Sequence, residues 1–204
     1  MKQRREMIIA TETTGINPQH GDRVAEICVV ELLNHKPTGR VYHQYINPKH
    51  RIPQYITAVH GLNSAILRRY PTFAQIAPEF LEFIGQDSVL VAHNAEFDLR
   101  FLNAELQRAK YPDLSRHQVV DTLQLARRQF PQQRNSLDCL CRRFSLYNSE
   151  REQRGALSDA RLLTQIYLHL KPGMGQKIRQ VCYSIWRYCG DFLRPNKEVQ
   201  RIFY

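Results

Sequence analysis

Ile8-Ile9-Ala10-Thr11-Glu12-Thr13-Thr14-Gly15 decides how this chain is read. The apolar run from Met7 to Ala10 has the composition of a buried strand, and Thr11 and Glu12 follow it directly. Glu12 therefore falls where a central strand ends and the chain turns, the place where sheets flanked by helices build their sites. Two further β-rich runs follow, Val24 to Leu33 and Val41 to Ile46, separated by Asn34–Gly39 with its Pro and Gly. That spacer is turn chemistry, so these runs are expected to pair as an antiparallel hairpin or meander.

Downstream the period changes. Phe73, Ile76, Ala77, Phe80, Leu81 and Ile84 recur at helical spacing between Pro71-Thr72 and Gly85, and Pro78 inside the pattern is expected to kink or split the helix. A short buried strand, Val89 to Ala92, runs into His93-Asn94-Ala95-Glu96-Phe97-Asp98 and a helix carrying Leu102, Leu106 and Ala109. Strand then helix recurs at Val119-Val120 and Thr122 to Gln129, with further helices at Ser136–Phe144 and Ala156–Leu170. The expected architecture is α/β: a mixed sheet of three antiparallel strands followed by parallel ones, flanked by helices. The break at Lys171-Pro172-Gly173-Met174-Gly175 divides the chain into a domain of residues 1–170 and a basic amphipathic tail of residues 171–204.

With 204 residues, 43% of them hydrophobic, the chain is long enough for one sizeable core. A formal net charge of +10 favours a polyanionic partner, nucleic acid before an anionic membrane surface. The apolar part of the amino-terminal segment is too short for export or for crossing a bilayer, so no transmembrane segment is expected there. Five cysteines, an odd number with no zinc-type spacing, read as buried thiols in a reduced, cytoplasmic protein.

Two more acids join Glu12 as candidates. Asp98 stands at a strand-to-helix junction, where an acid can serve a site or simply meet the dipole of the first helical turn. Asp159 shares a helical face with Ala156, Leu163, Ile166 and Leu170, so it points where the core-facing stripe points, and either a site or a local ion pair would satisfy it. Converging, the three carboxylates would form an oxygen-ligand cluster suited to Mg2+ or Mn2+, and the basic surface makes a phosphodiester the expected substrate.

On Ile8 to Gly15, His60-Gly61-Leu62, His93 to Asp98, Val120 to Arg127, Arg134 to Asp138 and Arg154 to Asp159, in that order, the chain resembles the DEDDh 3′–5′ exonucleases, most closely their branch of proofreading epsilon subunits of bacterial DNA polymerase III. The resemblance implies a ribonuclease-H-like sheet. It makes Glu12 and Asp159 metal ligands, Asp98 a ligand of a second ion, and Asp121 a support behind them. It places Thr13, His60 and Asn94 near a terminal nucleotide, and His93 in the packing of the loop.

Two positions depart from the family pattern. Where the family carries the aspartate shared by both ions this chain has Ala10, and where it carries the histidine that takes a proton from the attacking water this chain has Arg154. A methyl group binds no cation, and a guanidinium stays protonated and accepts no hydrogen bond. The pocket's formal charge becomes −2 in place of −4, which leaves a two-ion site weakened or vacant. The expectation is a 3′–5′ exonuclease scaffold acting on single-stranded DNA ends, with RNA as the alternative polymer, whose hydrolysis is lost or very low. Arg154 is then expected either to pair with Asp159 or Glu12 in place of a metal or to grip a terminal phosphate. The alternative is a degenerate exonuclease that works as an end-binding or polymerase-partner adaptor, with a polymerase-like partner engaged through the tail.

Overall fold

The computed structural model describes residues 3–146 and 155–171, so Arg154 and the tail beyond Lys171 lie outside the described residues. Five strands form one sheet in the order β3-β2-β1-β4-β5: β1 (Arg5–Thr13), β2 (Val24–Leu33), β3 (Lys36–Tyr45), β4 (Val89–Ala92) and β5 (Gln118–Asp121). β1 is the middle strand, antiparallel to β2 and parallel to β4, and β4 is parallel to β5. This is the arrangement expected from the strand meander followed by alternating helix and strand.

The continuous apolar character of β1 and β2 follows from burial on both faces. Met7, Ile9, Ile27 and Val29 turn toward α3 (Phe73–Ile84) and α4 (Ala95–Arg108), where Phe73, Phe80, Phe101 and Leu102 complete a core. Ile8, Ala10, Cys28 and Val30 turn the other way, onto α7 (Ala156–Leu170) through Ala160, Leu163 and Tyr167. Each such side chain fully buried contributes roughly 1.5–3 kcal/mol. Beside α7 pack α5 (Thr122–Gln129) and α6 (Leu137–Arg143). Two short helices, α1 (Gln54–His60) and α2 (Ser64–Leu67), fill the connection between β3 and α3.

One sequence expectation is corrected and a second is narrowed. The β2–β3 turn is Asn34-His35 alone, both with positive φ, as a two-residue hairpin loop requires, and not the whole of Asn34–Gly39. Pro37 and Gly39 lie inside β3, which tolerates them because it is the edge strand and its register against β2 shifts beyond Val30. Pro78 does not split α3, which runs unbroken from Phe73 to Ile84. The carbonyl deprived of a helical partner is that of Ala74, and Ala74 and Pro78 are both exposed, so water can satisfy it.

Among the described residues no helix is long and apolar enough to cross a membrane. Cys28 and Cys141 are buried free thiols, while Cys139 is half-exposed.

Candidate active site at the strand ends

Because β1, β4 and β5 are parallel, their carboxyl ends share one edge of the sheet, and most of the candidate residues gather there. Glu12 is the last residue of β1 before the register slips between Glu12 and Thr13. Asp98 lies in the first turn of α4, which follows β4. Thr11, pointing to the α4 side of the sheet, donates from Oγ1 to Asp98 Oδ1 at 2.8 Å. Asp98 is 8% exposed, and burial above all, with the nearby Asp159 carboxylate adding to it, pushes its pKa up to about 7 against the pull of the Thr11 hydroxyl. Asp98 and Asp159 thus feel one another across the site.

The other end of α4 is pinned as well. Glu105, 1% exposed, accepts from Arg23 Nε at 2.6 Å and Nη2 at 2.7 Å, and from the Val24 backbone N–H at 3.2 Å. A bidentate pair of this kind fixes orientation as well as distance. Thr11 and Arg23 together therefore set where α4 presents Asp98.

Asp159, half-buried in the first turn of α7, owes its place to a residue that sequence reasoning missed. Glu26 pairs with Glu12 in the β1–β2 register and is 2% exposed. Its Oε1 lies 2.7 Å from His43 Nε2, and its Oε2 accepts from the Ala156 backbone N–H at 3.0 Å. A Cβ on Gly155 would come within 3.0 Å of the same Oε2, a tight contact to which the carboxylate would have to give. The signal was present in the sequence: an acid in the middle of Val24-Ala25-Glu26-Ile27-Cys28, on a strand otherwise apolar, has to find partners.

The residues expected near a terminal nucleotide sit around this edge. His60 is 5% exposed at the end of α1; its Nδ1 accepts from the Leu62 N–H at 3.1 Å, which puts the ring proton on Nε2. That Nε2 lies near the Thr13 backbone but has no hydrogen-bond partner of good geometry among the described residues. Burial holds the His60 pKa below the ordinary histidine value, so the ring is neutral and offers one buried donor. Thr13 spends its hydroxyl on the Gly15 carbonyl at 2.6 Å, closing the turn after β1. Gly15 itself lies against the Asp22 carboxylate with no room for a Cβ.

Asn94 precedes α4 in the left-handed region, φ 64°, a conformation asparagine accepts more readily than most residues. Its side chain is exposed and makes no capping bond, while its backbone N–H donates to Asp121 Oδ1 at 3.0 Å. The same Asp121 oxygen caps α5 through the Leu123 N–H at 2.8 Å. Asp121 thereby ties the β4–α4 junction to β5 and α5 from behind the edge. His93 is turned inward, with Nδ1 2.9 Å from Thr122 Oγ1.

Ala10 is 9% exposed, opposite Cys28, and its methyl belongs to the apolar cluster with Val91, Ala156 and Ala160. Among the described residues no three His, Cys, Asp or Glu side chains converge as a metal-ligating group. The edge offers Glu12, Asp98 and Asp159 as oxygen donors, with Asp98 close to half-protonated at neutral pH. This donor set does not fit a two-ion centre as it stands, because the carboxylate that would join the ions is replaced by a methyl group.

Residues 7–167 match the RNase_T family model, described as exonuclease. The DNA polymerase III subunit epsilon of Rickettsia felis is 43% identical over 188 residues, covering 91% of this chain and 82% of the relative. The corresponding Escherichia coli subunit is 39% identical over 176 residues, covering 83% of this chain and 72% of the relative. Among solved structures, exonuclease X in complex with 5′-overhanging duplex DNA superposes with a TM-score of 0.62 at 21% identity, covering 84% of this chain and 98% of that one. Product-bound exonuclease I superposes with a TM-score of 0.69 at 15% identity, covering 92% of this chain and 46% of that one. With the strand order above, these likenesses establish the ribonuclease-H-like exonuclease fold.

Proposed function

The chain belongs to the RNase_T family of exonucleases, with its near relatives among DNA polymerase III epsilon subunits, and from that premise we propose that it holds the 3′ end of single-stranded DNA and hydrolyses it very slowly or not at all. The observation that carries this reading is the setting of Ala10. Its methyl group is packed with apolar side chains beside the strand end that bears Glu12. Arg154, at the family's general-base position, supports the same reading, since loss of a general base alone costs roughly 10²–10⁴-fold.

Divalent ions belong to the family's chemistry, and the residues that would hold Mg2+ or Mn2+ here are Glu12, Asp98 and Asp159. With the site's formal charge halved and Asp98 buried, such ions are held weakly in this chain. What the chain's own residues offer is binding. His60 holds a neutral, buried Nε2–H beside the Thr13 backbone, a donor that a phosphate or sugar oxygen could take up on binding. The Asn94 side chain is exposed at the same sheet edge, and Arg154 would grip a terminal phosphate by paired hydrogen bonds. RNA would satisfy the same contacts.

The relatives are named as polymerase subunits, which favours a polymerase-like partner for this chain, with residues 171–204 as the segment that engages it. The test of the main reading is direct. Labelled single-stranded DNA, incubated with the chain and Mg2+ or Mn2+, should show salt-sensitive binding by anisotropy and no appreciable 3′-nucleotide release. Rapid metal-dependent release by the chain as written would overturn it.

A further inference from the structure

A groove of about 610 Å³ lies between α5 and α6, outside the cluster of acids. We propose that this groove takes a backbone phosphate of the same strand whose 3′ end lies at Glu12 and Asp98, gripping it with Arg127 and Arg134. The inference rests on the nucleic-acid reading above and extends it to a second contact.

The charge pattern is the first support. Arg5, Arg23, Arg40 and Arg108 each pair with a buried glutamate. Arg127 and Arg134, by contrast, line the groove and are exposed. Asp138 is the acid of the lining, and the exposed Arg128 and Arg142 flank it, so the neighbourhood remains cationic.

The loop carrying Arg134 is the second support, because Asn135 and Arg143 hold it rigid by contacts that do not draw on the Arg134 guanidinium. Asn135, 6% exposed, donates from Nδ2 to the carbonyls of Phe130 at 3.1 Å and Gln133 at 3.0 Å. Arg143 donates to Asn135 Oδ1 at 2.8 Å and to the Arg134 carbonyl at 3.1 Å, with its guanidinium stacked 4.3 Å from the Phe130 ring. A preorganised loop loses little entropy on binding, and arginine forks match phosphate oxygens geometrically.

Position is the third. His93 lines the groove and directly precedes Asn94 at the same sheet edge. In the order β1-β4-β5 the end of β5 is two strand spacings, about 10 Å, from the end of β1. A single strand leaving the acids and crossing the ends of β4 and β5 arrives over α5.

The experiment uses the full chain and two probes, a dodecathymidylate labelled at its 5′ end and thymidine monophosphate, with affinities measured across a salt series. Arg127→Gln with Arg134→Gln should weaken the oligonucleotide about tenfold at low salt and reduce the log–log salt slope by about 1.4, or about 0.7 for each single change. Arg127→Lys with Arg134→Lys should restore most of the slope, and thermal melting should be unchanged because both side chains are exposed. An unchanged slope in the double glutamine variant, with the parent binding normally, overturns the groove and leaves the end-binding reading intact. Weakening of the monophosphate alone makes this a free-nucleotide site and also overturns it. Failure of the parent to bind the oligonucleotide overturns both readings together.

Discussion

The Ala156 backbone N–H donates to Glu26 Oε2 at 3.0 Å, a bond that spans 130 positions of sequence and fastens the first turn of α7 to the second strand. Since Asp159 lies in that same turn, the placement of one candidate acid depends on a carboxylate of the second strand. Glu26→Ala would leave the buried Ala156 N–H without its partner, at a cost of about 1–3 kcal/mol, and would free the half-buried His43 ring, which water can partly satisfy. Urea unfolding should show a destabilisation of about 2–4 kcal/mol, with Glu26→Gln closer to the parent. A change below about 0.5 kcal/mol for the alanine variant would contradict the role assigned to Glu26.

Asp98 should make the metal-free protein less stable as pH rises. Its folded pKa is raised to about 7, above its ordinary value of 3.8, so the folded state binds a proton that the unfolded state has already released between those values. Stability is then full below pH 4 and lost progressively as pH climbs through 7, by up to about 1.4 kcal/mol per pH unit in that window. Asp98→Asn keeps an acceptor for the Thr11 hydroxyl and removes the titration. It should raise the melting temperature at pH 8 and change it little at pH 4, measured with chelator present; equal effects at both would refute the buried-carboxyl account.

The Arg23–Glu105 pair anchors the far end of α4. Arg23 retains 25% of its side-chain exposure, which moderates the cost of breaking the pair relative to a fully buried one. Glu105→Gln should destabilise by about 2–3 kcal/mol in chemical denaturation. It should also shift the pKa of Asp98, read by pH-dependent NMR of its carboxyl carbon, because α4 carries both residues. An unchanged Asp98 titration would mean that α4 is positioned by its apolar face alone.

The features that local chemistry writes into sequence were legible. The β1 run ending in Glu12, the β4 run entering Asn94 and Asp98, and the stripe of α7 each announce themselves within a dozen residues. The segment around α1 and α2 did not, since helices of seven and four residues carry too few turns for a periodic pattern. The second depends on the Asn63 cap, which takes the Ala65 and Ile66 N–H groups, and both lean on a small cluster of Ala25, Ile52, Leu62 and Leu67, which Ile56 joins from the first. The unpartnered Nε2 of His60 is invisible for the same reason: it depends on which ring nitrogen the Leu62 N–H occupies. The Asn34–Gly39 spacer misled because Pro37 and Gly39 are turn formers by composition and edge-strand residues by position.

Release of the 3′ nucleotide from labelled single-stranded DNA, compared among the chain as written, Ala10→Asp, Arg154→His and the double change, tests the central claim most directly. The account predicts no appreciable release by the chain as written, at most slow release from either single change, and metal-dependent release from the double change that exceeds both by about 10²-fold or more. Full activity in the chain as written, or a folded double variant that binds the DNA end and still does not cleave it, would contradict the assignment of Glu12, Asp98 and Asp159 as the remains of a catalytic site disabled at Ala10 and Arg154.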